Sequence, residues 1–160
     1  MKPLIAAFTI ALSMIAAPVA SPQSMSLAGT WKATEVTLTG PGGGTFTNVA
    51  NLTLLTARHF ARVEVRTDAP RPMIADPARA TADEMRAAWG PFFAEAGTYE
   101  ISGGELTMRP IVSKNSAAMN GSAFTVYAVT LSGDTLTLTS KRNQAGPLPN
   151  PATIKATRIE

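Results

Sequence analysis

Gly97-Thr98-Tyr99-Glu100-Ile101-Ser102-Gly103-Gly104-Glu105-Leu106-Thr107-Met108-Arg109 reads as two extended runs folded about a Ser-Gly-Gly turn. Successive side chains on a strand point to opposite faces, and paired glycines supply the backbone conformations that a tight hairpin needs. An antiparallel hairpin is predicted here, and the flanking sequence repeats its pattern. Pro110 has no N–H to give to a ladder, so it is expected at an edge or a bulge, with 111–115 continuing beyond it. Ser122 to Leu131 sets Phe124, Val126 and Ala128 against Tyr127, Val129 and Leu131. Ser132-Gly133-Asp134 then turns the chain into Thr135-Leu136-Thr137-Leu138-Thr139. After a proline-rich loop, Ala152 to Ile159 is the last strand, with Ile154, Ala156 and Arg158 on one face.

Before the hairpin, Leu27 to Thr39 reads as a strand that sets Trp31, Ala33, Glu35 and Thr37 against Lys32, Thr34, Val36 and Leu38. Gly40-Pro41-Gly42-Gly43-Gly44 is a flexible hairpin loop. It lacks the Lys-Ser/Thr and following helix of a phosphate-binding loop. Asn51 to Thr56 leads through Ala57-Arg58-His59 into Phe60 to Arg66. There Ala61, Val63 and Val65 share one face and Arg62, Glu64 and Arg66 the other. The apolar face is expected inward and the charges as a solvated outer ladder. The alternative is that two arginines around one glutamate form an anion-recognising wall inside. His59, the only histidine, is expected to be a polar surface residue.

Between Thr67 and Ala96 the strand pattern stops. Thr81-Ala82-Asp83-Glu84 is an N-cap followed by acids, and Met85, Ala88, Trp89, Phe92 and Phe93 recur at helical spacing. Gly90-Pro91 should break or kink that helix. The segment reads either as a fixed plug over one barrel end or as a mobile lid over a cavity.

The chain has 160 residues, 45% hydrophobic and 16% charged, which suits one folded domain and is too apolar for a disordered chain. With no cysteine there is no disulfide, thiolate nucleophile or Cys-ligated metal. The net charge of +3 comes from scattered basic residues and few acids, so nucleic acid is not an expected partner. Residues 1–23 carry Lys2, the apolar run Leu4 to Ala17 and then small residues and prolines. They read as a signal peptide cleaved between Ala17 and Ser24, and a periplasmic or secreted protein follows. The run is short of the roughly 20 residues that span a bilayer, so no stable span is expected after cleavage. The domain is residues 27–160.

The fold expected is all-β: an eight-stranded antiparallel up-and-down barrel with a short helical insertion between the third and fourth strands. Gly29-Thr30-Trp31, Ala88-Trp89-Gly90-Pro91-Phe92, Ala96-Gly97-Thr98-Tyr99-Glu100 and Gly133-Asp134-Thr135-Leu136-Thr137-Leu138, in this order, resemble the bacterial lipocalin-like domain family over roughly Leu27 to Glu160. The resemblance implies a calycin-type barrel able to hold a small apolar molecule, and it carries no agreed activity. If the barrel closes first strand to last, Arg158 could stack on Trp31, and Gly29 lets the backbone turn tightly into that first strand.

The leading expectation is thus an exported carrier of a small hydrophobic or amphipathic ligand. Its lumen would be lined by Leu, Val, Met and Tyr, with Trp89, Phe92, Tyr99, Arg109, Lys114 and Tyr127 as ligand-binding residues. No catalytic residue, metal or cofactor is assigned. Two alternatives are an isomerase or cyclase that polarises a carbonyl with Arg109 or Tyr127, and a non-catalytic envelope interaction or inhibitor module marked by an exposed apolar patch.

Overall fold

Gly103 and Gly104 both adopt positive φ, at 58° and 76°, and so turn β5 (Phe92–Ser102) into β6 (Glu105–Ser113). The same antiparallel logic extends to both sides in a computed structural model that describes residues 26–47, 50–67 and 69–160. Before this hairpin come β1 (Gly29–Leu38), β2 (Gly44–Phe46), β3 (Ala50–Leu55), β4 (His59–Val65) and the helix α1 (Ala82–Trp89). After it come a 3-10 turn (Ser116–Met119), β7 (Thr125–Ser132), β8 (Thr135–Asn143), β9 (Gly146–Pro147) and β10 (Ala152–Arg158). The path β10-β1-β3-β4-β5-β6-β7-β8 closes through β10 against β8, a closed eight-stranded antiparallel barrel. β2 and β9 are short additions, and α1 lies between the third and fourth barrel strands. The segment read as a leader lies outside the described residues.

Closure is made by the first and last strands. Trp31 pairs with Arg158, and the Arg158 guanidinium lies 4.3 Å from the indole centroid. Trp31 is fully buried, and its Nε1 donates to the Leu27 carbonyl at 2.9 Å, so the indole N–H is satisfied inside the core. Gly29 sits at φ 145°, and a Cβ there would stand 2.5 Å from Arg158 Nη1. Only glycine leaves the guanidinium room to donate to the Ala28 carbonyl. Around this end, Leu27, Leu55, Phe60, Leu106, Met108 and Leu136 pack on Trp31 as the core.

Three local readings are corrected. A bulge between Ala33 and Glu35 adds Thr34 to β1 and reverses the parity. Trp31 and Ala33 face in, but so do Val36 and Leu38, while Glu35 pairs with Lys155 outside at 2.7 Å. Phe92 and Phe93 are not helical. Pro91 has no N–H to extend α1, and the two phenylalanines instead pair with Val65 and Glu64 in the β4–β5 ladder. Trp89 does not plug the barrel. It is 50% exposed on the outside, edge-on to Phe92 at 5.7 Å. Pro110 does sit beside a bulge. Gly97 pairs with it, Ala96 with Val112, and a Cβ on Gly97 would overlap the Arg109 carbonyl oxygen.

Candidate ligand cavity at the open end of the barrel

The third barrel strand is turned the other way from its expected orientation. Directly paired residues share a face, and the rows Thr53–Arg62–Glu95–Ser113 and Asn51–Glu64–Phe93 point into the barrel. Arg62 is 7% exposed and Glu64 4%, whereas Val63 is 45% exposed. The expected outer ladder of charges is therefore an inner one. The reason is register: Leu55 and Phe60 pair with each other at the core end, and a period of two then carries Thr53 with Arg62 and Asn51 with Glu64 inward.

Burial of this much charge requires partners. Arg62 Nη2 donates to Glu95 Oε1 at 2.6 Å and to the Tyr127 hydroxyl at 3.4 Å. Arg66 Nε donates to Glu64 Oε1 at 2.6 Å. The Phe93 ring lies against both guanidiniums, with Arg62 Cζ 4.9 Å and Arg66 Cζ 3.9 Å from its centroid. Burial by itself lowers the pKa of Arg62. Tyr127, Glu95 and Glu64 outweigh it and hold the group above its ordinary value, so Arg62 remains a cation. Two cations and two carboxylates leave the cluster without net charge. One donor is left over: Arg62 Nε is buried and has no hydrogen-bond partner in the protein.

Above this cluster the barrel opens. A cavity of about 300 Å³ is lined by Arg62, Arg66, Phe93, Glu95, Ser113, Phe124, Thr125 and Tyr127, and also by Asn115, Asn143 and Gln144. This is at the lower end of the roughly 300–1,000 Å³ usual for small-molecule sites. Beneath Arg62 only about 20 Å³ remains among Trp31, Met108, Leu136 and Ile154. The lower half of the barrel is thus packed and the upper half hollow. The expected Leu, Val and Met lining is corrected accordingly: those residues fill the closed end, and the hollow end is mostly polar, with two aromatic faces.

The six residues expected to bind ligand do not converge. Tyr127 lines the cavity beside Arg62. Phe92 and Lys114 border a neighbouring cleft of about 190 Å³ that shares Arg66, Phe93 and Asn115 with it. Lys114 Nζ is occupied there, donating to the carbonyls of Trp89, Gly90 and Phe92 and so holding the end of α1 against β6. Tyr99 and Arg109 line a separate outer cleft near the closed end. There the Tyr99 hydroxyl donates to the Thr56 carbonyl at 2.5 Å, and desolvation raises its pKa. Arg109 faces outward, 3.3 Å from Glu100, away from any lumenal carbonyl. Trp89 lines neither the cavity nor these clefts.

Phe93 and Glu95 were absent from the expected set, and Arg62, Glu64 and Arg66 entered it only as the alternative of an anion-recognising wall inside the barrel. The signal that finds them is the Arg62-x-Glu64-x-Arg66 alternation together with polar Asn51 and Thr53 at the paired positions of β3. Polar residues in register on adjacent strands mark one shared polar face. Among the described residues no cluster of His, Asp or Glu is arranged to hold a metal ion, and no helix is long and apolar enough to cross a membrane. Comparison of the chain with family models, with curated proteins and with solved structures returned no match.

Proposed function

We propose that the barrel binds a small amphipathic molecule at its open end. A hydrogen-bond acceptor of the ligand sits on Arg62 and Tyr127, and its flat or apolar part lies against Phe93 and Phe124. The single observation that carries this reading is a cavity of about 300 Å³ in which the buried, charge-balanced Arg62 guanidinium and the Tyr127 hydroxyl stand beside the Phe93 and Phe124 rings. Groups already desolvated and held in place by Glu95 and by each other bind an acceptor with little further ordering cost. Because the ion cluster is already balanced, neutral and zwitterionic ligands are favoured over multiply charged ones. The lipocalin-like resemblance and the apolar run at Leu4 to Ala17 support an exported carrier of this kind.

Native mass spectrometry of the protein isolated from its own cells tests the reading. A co-purifying small molecule is expected with the native protein and not with Thr125→Trp, which fills the cavity. The reading fails if the native protein carries nothing, or if the filled variant carries the same molecule.

A further inference from the structure

The outer surface of the barrel has two halves of opposite character. Over β7, β8, β10 and β1 it is a solvated face, exemplified by the paired row Thr130, Thr137, Lys155 and Glu35. Over β3 to β6 the outward rows nearer the open end are Leu52–Val63–Ala94 and Leu54–Ala61–Ala96–Val112, without a charged or hydrogen-bonding side chain, and the next outward row toward the closed end, His59–Thr98–Arg109, is polar. This is the reverse of the usual polar-out arrangement, and it follows from the same register that sends Arg62 and Glu64 inward. Leu52, Leu54, Val63, Val112 and the adjoining Ile111 are 39%, 45%, 45%, 56% and 66% exposed.

We infer that this face is the contact between two copies of the chain, packed sheet to sheet about a two-fold axis. Three observations select a second copy as the occupant. A closed barrel offers no long free edge, so association through its strands has to be face to face. The face has relief that complements itself: Ala61, Ala94 and Ala96 floor a trough of about 210 Å³ beside the taller Val63 and Val112, so the ridge of one copy fits the trough of the other. The rows carry no charge, so a two-fold contact brings no like charges together.

The area is sufficient for a reversible dimer. Half-exposed side chains in two rows, extended by Phe92 and Trp89, offer roughly 500 Å² of mostly apolar surface per copy, and two faces together reach the roughly 1,000 Å² that a specific contact needs. Interfaces of that size are weak, so dimerisation is expected in the micromolar range. The cavity mouths remain open in such a dimer, because they lie at the barrel ends and not on this wall.

Analytical ultracentrifugation of the protein expressed from its full sequence, from about 1 to about 500 µM, tests this. The native protein should shift from monomer to dimer mass, while Val63→Glu and Val63→Lys should each stay monomeric, with unchanged far-UV circular dichroism and thermal unfolding. An equimolar mixture of the two variants should recover the dimer, since opposite charges then face each other across the axis. A native protein that stays monomeric throughout, variants that still dimerise, or a mixture that stays monomeric would each overturn the inference. So would a monomer that sediments with phosphatidylglycerol vesicles, which would assign the face to lipid.

Discussion

Replacing Arg62 by Met keeps most of the side-chain stem and removes the guanidinium, which isolates the role of the buried charge. Both partners of the Arg62–Glu95 pair are at most 10% exposed in their side chains, so solvent screening does not reduce the effect. Stranding one member of a buried pair costs about 3–5 kcal/mol. The stacking of Arg62 on Phe93 and Tyr127, at 4.9 and 6.0 Å, adds about 0.5–2 kcal/mol to the loss. Against this, the variant no longer buries the unpartnered Nε, which returns about 1–3 kcal/mol. The net expectation is a destabilisation of about 2–4 kcal/mol, a large share of the roughly 5–15 kcal/mol that holds a domain together. The double variant Arg62→Met/Glu95→Gln removes both charges and should recover most of the loss. Urea unfolding at neutral pH measures all three proteins. A single variant within about 0.5 kcal/mol of the native protein, or a double variant no better than the single, would refute the assignment of Arg62 and Glu95 as a buried pair.

Two further outcomes are expected. Trp31→Ala should lose about 3–5 kcal/mol through the cavity left in the closed end, and an unchanged melting temperature would show that closure does not depend on the indole. At the start of α1, the Thr81 backbone N–H and then its hydroxyl hold the Glu84 carboxylate below its ordinary pKa. A depressed pKa in the folded state contributes stability that is present above the unfolded value and lost as pH falls through the folded one. Amide-exchange protection in Ala82–Trp89, taken against the intrinsic rate at each pH, should therefore fall selectively in acid and stay constant above neutrality, and an equal loss of protection across the barrel strands would count against the capping box.

The elements of this fold were largely legible because they depend on neighbours in sequence. Glycine pairs at Gly103-Gly104 and the alternation on either side are enough for a hairpin. The Trp31–Arg158 approach was also foreseeable, since closing an eight-stranded meander brings its first and last strands together. Phe92 and Phe93 were misread because helical spacing and strand alternation both fit a short aromatic run. What decided between them was the distant pairing partner, Val65 with Phe92 and Glu64 with Phe93.

By itself the sequence determined that these strands exist, where they turn, and how Ala61-Arg62-Val63-Glu64-Val65 divides into two chemically distinct faces. Only the tertiary structure decided which of the two faces lines the barrel. A repeat of two separates the faces without giving them a sign, and the sign came from register with Leu55 and Phe60 at the core end and from bulges at Thr34 and Ile111 that switch parity within a strand. That one choice placed the charged row inside beside the cavity and the apolar row outside, because a strand cannot turn one set of side chains inward without turning the other outward.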